Sequence, residues 1–196
     1  MIDDSYRATY DQIASDHLDY WRKHGRNPFQ DPSVLAQNEA ETVRLIGETS
    51  GSILDVGCGM GDLLLHFPDR ETQGVDLSYE YLKVARDRGL SVIQAEAESL
   101  PFTNATFDVV VATDILEHVF DMHTVAKELV RVAAEKVIVR VPNMEPVSWD
   151  SEPYGFVHVR ILDEGTMRIL FGPILGCEVE RCYVHGSEIH LVASVP

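Results

Sequence analysis

Lysine is scarce in this chain, limited to Lys23, Lys83, Lys127 and Lys136. With 16 Lys+Arg against 32 Asp+Glu, the formal net charge is -16. Such a surface repels a phosphate backbone, so no nucleic-acid partner is expected. Cysteine is equally sparse. Cys58, Cys177 and Cys182 form neither a disulfide framework nor a paired metal spacing. No metal site is expected, and a reducing, cytoplasmic setting is. No run approaches the ~20 apolar residues of a membrane span. The polar stretch Met1–Tyr10 offers no leader with an apolar centre. Internal repeats and low-complexity tracts are missing too. What remains is 196 residues, 45% of them hydrophobic, enough for one domain with a real core.

From Ser52 onward, short β-rich runs alternate with helical segments, the pattern of an α/β parallel sheet with helices on both faces. Strands are expected at Ser52–Val56, Thr72–Val75, Ser91–Ala95, Phe107–Ala112 and Val137–Val141. Helices are expected at Gly61–Phe67, from Tyr79 to about Arg88, from Asp121 to about Arg131, and from Asp163 to Phe171. Ser78, Asp121 and Asp163 are the natural N-caps. Glu178–Val184 and Glu188–Val195 flank His185-Gly186-Ser187 as a hairpin, so the last strand should be antiparallel. Before the first strand, Tyr6–Lys23 reads as one helix, and Asp31-Pro32 opens a second. Residues 1–50 are therefore expected to form a helical cap on the domain at 51–196, over the crevice at the C-terminal strand ends.

The most informative stretch is Ile53-Leu54-Asp55-Val56-Gly57-Cys58-Gly59-Met60-Gly61. A buried strand ends in three alternating glycines, which let the chain turn sharply and let a ligand approach the backbone. A dinucleotide fingerprint would need a small residue where Asp62 stands. Asp55 and Asp62 would both repel a pyrophosphate. The turn favours a cationic, phosphate-free nucleoside cofactor instead, with S-adenosylmethionine the natural candidate.

Further acids fall at the ends of later strands. Asp76 closes the second strand about 20 residues after Asp55, where doubly wound folds place a ribose-binding carboxylate. Its two oxygens match a vicinal diol. After the third strand, Glu96 can accept from an adenine amine while the Ala97 N–H faces a ring nitrogen. After the fourth strand comes Thr113-Asp114-Ile115-Leu116-Glu117-His118-Val119, beside the glycine turn at the topological switch point. Thr113 and Asp114 are thus candidate cofactor contacts.

These pieces together resemble the class I S-adenosylmethionine-dependent methyltransferases, in the small-molecule group that includes the ubiquinone-biosynthesis O-methyltransferases. The resemblance covers roughly residues 50–142. It rests on Leu54–Gly61, Gly74-Val75-Asp76-Leu77-Ser78, Ala95–Phe102, Phe107–Val110 and Ile115–Val119, in that order. It implies a Rossmann-like seven-stranded sheet in the order 3-2-1-4-5-7-6. It implies a cofactor whose methionine end lies over Gly57, Cys58 and Gly59 near Asp55, with ribose on Asp76 and adenine near Leu77, Glu96 and Ala97. The family's usual Asp at the adenine side is Glu96 here. A looser likeness to methionine-biosynthesis-associated proteins of the same superfamily keeps open a protein that acts through a partner. No D/N-P-P-Y/F motif follows the fourth strand, which weighs against a nucleic-acid or amide nitrogen as acceptor.

Methyl transfer from a sulfonium needs alignment first, and a base when the acceptor carries a proton. Two histidines are the candidates. His118 follows the fourth strand. His158 follows the fifth, in Phe156-Val157-His158-Val159-Arg160, with Trp149 and Tyr154 nearby. Arg160 would bind an acidic substrate or pair with Asp163. His17 and His24 read as solvated helix residues. A small-molecule acceptor is expected, methylated at a hydroxyl oxygen, with nitrogen the alternative, on a monomer or homodimer.

Overall fold

The computed structural model describes residues 4–25, 32–143 and 159–196. Helices α1 (Asp4–His24) and α2 (Pro32–Gly47) come first. The sheet region runs β1 (Ile53–Val56), β2 (Thr72–Asp76), α3 (Tyr79–Asp87), β3 (Val92–Gln94), β4 (Phe107–Thr113), α4 (Met122–Val132) and β5 (Ala133–Pro142). It closes with α5 (Glu164–Ile169), β6 (Glu178–His185) and β7 (Glu188–Ser194). The seven strands form one sheet in the order β3-β2-β1-β4-β5-β7-β6. β1 to β5 are parallel, and β7 is antiparallel to both β5 and β6. This is the α/β Rossmann-like architecture expected.

Both faces are covered because successive strand residues point opposite ways. Leu54, Val56, Val110 and Val139 sink into one core with Val125 and Leu129 of α4. Ile53, Val109, Val111 and Ile138 join Leu45 and Ile46 of α2 in a second. Each such side chain, fully buried, contributes about 1.5–3 kcal/mol. The helix starts are set by side chains. The Ser78, Asp121 and Asp163 oxygens accept from the N–H groups of Tyr81, Thr124 and Thr166.

The structure departs from expectation in three elements. The segment Gly61–Phe67 forms only a single 3-10 turn, Leu64–His66, not a helix. Gly61 is left-handed at φ +80, and Pro68 forbids continuation, so too few residues remain for an α-helix. β5 begins at Ala133, directly after α4, rather than at Val137. The last helix is α only to Ile169 and then widens to a π turn, Leu170–Ile174. Pro173 lacks the N–H that an α-helix would use there, and the Leu175 N–H donates back to Leu170 at 3.1 Å.

Helix α1 packs on α3. Its buried residues, Ala14, His17 and Leu18, follow helical spacing. His17 is not solvated as expected: its Nδ1 lies 2.6 Å from the Tyr81 hydroxyl. Asp11 Oδ1 accepts from the Ser78 hydroxyl and the Tyr79 N–H, both at 3.0 Å. The start of α1 thus hangs over the C-terminal ends of β2 and β3.

Candidate active site

The glycine turn after β1 is held by backbone and carboxylate together. The Gly57 and Cys58 N–H groups donate to Val75 at 2.7 and 2.9 Å, and the Gly61 N–H donates to Cys58 at 2.8 Å. Gly57 is left-handed at φ +78, and a Cβ built on it would lie 1.9 Å from Ile115 Cδ1. The turn after β1 and the loop after β4 are therefore in contact. Gly59 is left-handed too, but a Cβ there would meet nothing within 4 Å. It faces open space. Cys58 faces inward instead, because a Cβ on Gly74 would lie 2.7 Å from its Sγ. Burial pushes the Cys58 thiol far up, so it is inert packing.

Asp76 ties this turn to β2. Its Oδ2 accepts from the Gly59 N–H and its Oδ1 from the Ser78 N–H, both at 2.8 Å. Burial raises its pKa to about 6 despite these bonds. Asp55 is 2% exposed, and its Oδ1 has no hydrogen-bond partner. Burial, with repulsion from Asp76, pushes it up to about 7, against the pull of Arg140. On the β3 side, Glu96 Oε1 accepts from Arg7 of α1 at 2.8 Å. Gln94 Nε2 donates to the Leu77 carbonyl at 2.8 Å. Ala97 is half-buried beside Glu96.

Across the turn, β4 ends at Thr113, and Asp114 adopts the left-handed φ +57. Asp can take this conformation at modest strain. The Asp114 N–H donates to the Arg140 carbonyl at 2.9 Å, and its carboxylate pairs with the Arg140 guanidinium. Arg140 sits between Thr113 of β4 and His190 of β7 in register. Next along the loop, Glu117 is 3% exposed, and among the described residues neither of its carboxyl oxygens has a hydrogen-bond partner. His118 Nε2 lies 3.7 Å from Glu117 Oε1. Burial, with repulsion from Asp114 and Glu188, raises the Glu117 pKa well above the carboxylate range. Glu188 on β7 accepts from Asn38 of α2 at 3.0 Å, and its Oε2 is unpartnered. Burial lifts it to about 7. His190 is fully buried, neither ring nitrogen has a hydrogen-bond partner among the described residues, and burial lowers it to about 4. Among the described residues, no group of three or more His, Cys, Asp or Glu is placed to hold a metal ion.

Residues 54–140 match the family model described as a methyltransferase domain. Over those residues, under half of its length, the chain is similar to methyltransferase domains. Norajmaline N-methyltransferase of Rauvolfia serpentina is 29% identical over 157 residues, 66% of this chain and 51% of that protein. Malonyl-[acyl-carrier protein] O-methyltransferase of Legionella pneumophila is 34% identical over 89 residues, 41% of this chain and 31% of that protein. The chain spans about half the length of the first of these relatives and less of the second. The magnesium protoporphyrin IX methyltransferase of Synechocystis PCC 6803, solved with bound SAH, superposes with a TM-score of 0.72 at 16% identity. That match covers 95% of this chain and 97% of that one, and shows a shared fold.

Asp55, Gly57, Gly59 and Asp76 meet at the turn after β1, with Thr113 and Asp114 across from them. Leu77, Glu96 and Ala97 stand beyond β2. His158, Trp149 and Tyr154 lie outside the described residues. The Arg160 guanidinium is engaged by carbonyls of the loop after β4. It donates to the Leu116 carbonyl at 2.5 Å and to the Phe120 carbonyl at 2.8 Å, and it also bonds Val119. It clamps the loop after β4. Sequence reasoning missed Glu117, Arg140, Glu188 and His190 as a group. Their signal was a charge inside an apolar strand run, as in Val-Ile-Val-Arg-Val at 137–141 and Glu-Ile-His-Leu-Val at 188–192.

Proposed function

We propose that this protein transfers a methyl group from S-adenosylmethionine to a small-molecule acceptor. The observation that carries this reading is the turn at Gly59, open to a ligand on one side and backed by the acids Asp55 and Asp76 on the other. A cation fits such a place, whereas a pyrophosphate does not. When bound, the cofactor supplies a methyl group activated by its sulfonium. Asp55, Gly57, Cys58 and Gly59 would hold its methionine end, Cys58 through the backbone. Asp76 would hold the ribose through lone pairs left after its bonds to Gly59 and Ser78, since a carboxylate has about four acceptor positions. Leu77, Glu96 and Ala97 would flank the adenine, with Arg7 fixing the Glu96 carboxyl. Thr113 and Asp114 would close the far side. Residues 1–50 would cap the crevice.

The chain's own task is alignment and proton handling. His118 and His158 are the histidines placed in sequence to take a proton from a hydroxyl acceptor. The relatives include both N- and O-methyltransferases. The buried acids around Arg140 favour nitrogen here, as argued below.

The test is a calorimetric and thermal-shift titration with S-adenosylhomocysteine, S-adenosylmethionine and NAD in parallel. Binding of the two sulfur nucleosides is expected. At 100 times its Kd a ligand adds about 2.7 kcal/mol of stability. NAD binding without theirs would overturn the reading.

A further inference from the structure

We propose that the buried carboxyl of Glu117, with Glu188 beside it, seats the positively charged nitrogen of a small amine acceptor. This rests on the methyl-transfer reading above and names the acceptor class for that site.

The first ground is unmet bonding. Among the described residues, neither Glu117 oxygen nor Glu188 Oε2 has a hydrogen-bond partner, and all three atoms are buried; His118 Nε2 stands 3.7 Å from Glu117 Oε1. A protein does not leave a buried carboxylate bare, because an isolated charge is strongly disfavoured in a low dielectric. Buried carboxyl oxygens left without hydrogen bonds can accept from the N–H donors of an ammonium. A hydroxyl acceptor brings one donor and no charge.

The second ground is charge balance. Asp55, Asp114, Glu117 and Glu188 all act on one another or on Arg140. Among the described residues, Arg140 is the arginine that faces them, and its guanidinium is already paired with Asp114. His190 adds no charge near neutral pH, since burial holds it neutral. His118 stands 3.7 Å from Glu117 at the edge of the cluster. Burial favours the protonated form of Glu117 and Glu188. A ligand cation would replace those protons.

The third ground is position. Glu117 follows Ile115 by two residues, and Ile115 lies against Gly57. The seat therefore adjoins the turn where a cofactor would lie. The same carboxyl suits the chemistry. An ammonium cannot attack until it loses a proton. Glu117 accepts that proton at Oε, the N–H bond pair becomes the nitrogen lone pair, and the acid is left neutral in its buried place.

The experiment titrates the full chain, with and without saturating S-adenosylhomocysteine, using matched probes: 2-phenylethylamine, 2-phenylethanol and 3-phenylpropionate, and cyclohexylamine against cyclohexanol. The amines are expected to bind at least about tenfold more tightly than the alcohols, since a charged hydrogen bond is worth about 1.5–3 kcal/mol. The carboxylate should bind weakest. Glu117→Gln should erase the amine preference while leaving the S-adenosylhomocysteine Kd within twofold, and Glu117→Asp should restore part of it. No amine preference, including no binding of any probe, overturns the proposal. So does a preference that survives both Glu117→Gln and Glu188→Gln. Loss of S-adenosylhomocysteine binding with the amine preference intact would sink methyl transfer and leave the amine seat standing.

Discussion

Asp76 holds Gly59: its Oδ2 accepts the Gly59 N–H at 2.8 Å, while Oδ1 takes the Ser78 N–H at the same distance. One carboxylate thus fixes the turn after β1 to the start of α3, across two strands. The ribose reading assigns Asp76 to a ligand, and the structure adds a tether. The two roles agree, because a tethered turn is already shaped for whatever lies over Gly59, and pre-organisation lowers the cost of binding.

Asp76→Ala should therefore weaken S-adenosylhomocysteine binding by about 1–3 kcal/mol, through the unpaired diol and the freed turn. Asp76→Asn, which keeps one acceptor oxygen, should fall between. Calorimetric titration reads both. An Asp76→Ala protein that binds as tightly as wild type would end the ribose assignment.

Arg140 and Asp114 form a pair whose removal is asymmetric. Arg140→Met leaves Asp114 beside Glu117 and Glu188 without this cation, and because Asp114 is part-exposed the cost should fall below the about 3–5 kcal/mol of breaking a fully buried pair. Arg140→Met with Asp114→Asn removes both charges and should recover much of that loss. Urea unfolding of the two variants checks this. Equal stability of the single and double variants would show that the pair is not coupled.

The legible parts of the fold were local ones. Strands β1 and β4 are short apolar runs buried on both faces, and Ser78, Asp121 and Asp163 are caps read from residue type alone. The glycine turn was legible because three glycines at a strand end have few other uses. The segment Gly61–Phe67 was misread because Leu63-Leu64-Leu65 looks helical, whereas Pro68 and the left-handed Gly61 leave room for one turn. The Glu117–Arg140–Glu188 cluster was hidden for another reason. Its members come from three distant segments that only the strand order brings together. Likewise, nothing local in Asp11 or His17 foretells Ser78 and Tyr81 as partners.

Stability should rise as pH falls from 8 to 6.5. Asp55 and Glu188 are raised to about 7, and Asp76 to about 6, so the folded state binds more protons than the unfolded chain in this window. Stability then falls with rising pH and is lost through those folded values. Each group near 7 adds about 0.5–1 kcal/mol across the window. His190, lowered to about 4, and His17, also lowered by burial, are neutral in both states at the upper end and oppose the trend as pH falls into the unfolded histidine range near 6.5. Urea unfolding at half-unit steps measures the slope, and Asp55→Asn should flatten it. A flat or rising profile between 6.5 and 8 would contradict the raised acids.

The N-terminal helix offers the last prediction. Asp11 accepts from Ser78 and Tyr79 at the start of α3, and Arg7 pairs with Glu96. The Arg7 pair is half-exposed, so Arg7→Ala should change global stability by no more than about 1 kcal/mol. Asp11 contributes a helix-start bond, worth about 1 kcal/mol on loss. Asp11→Ala should let α1 open without unfolding β4, whose residues Val109, Val110 and Val111 are fully buried. Hydrogen exchange should then quicken across residues 4–24 while 107–113 stay protected, because local opening and global unfolding have separate free energies. If α1 caps the cofactor, S-adenosylhomocysteine should also dissociate faster from Asp11→Ala, and its binding should slow exchange in wild-type α1. Exchange in α1 that ignores both the substitution and the ligand would mean that the helix is a fixed part of the wall.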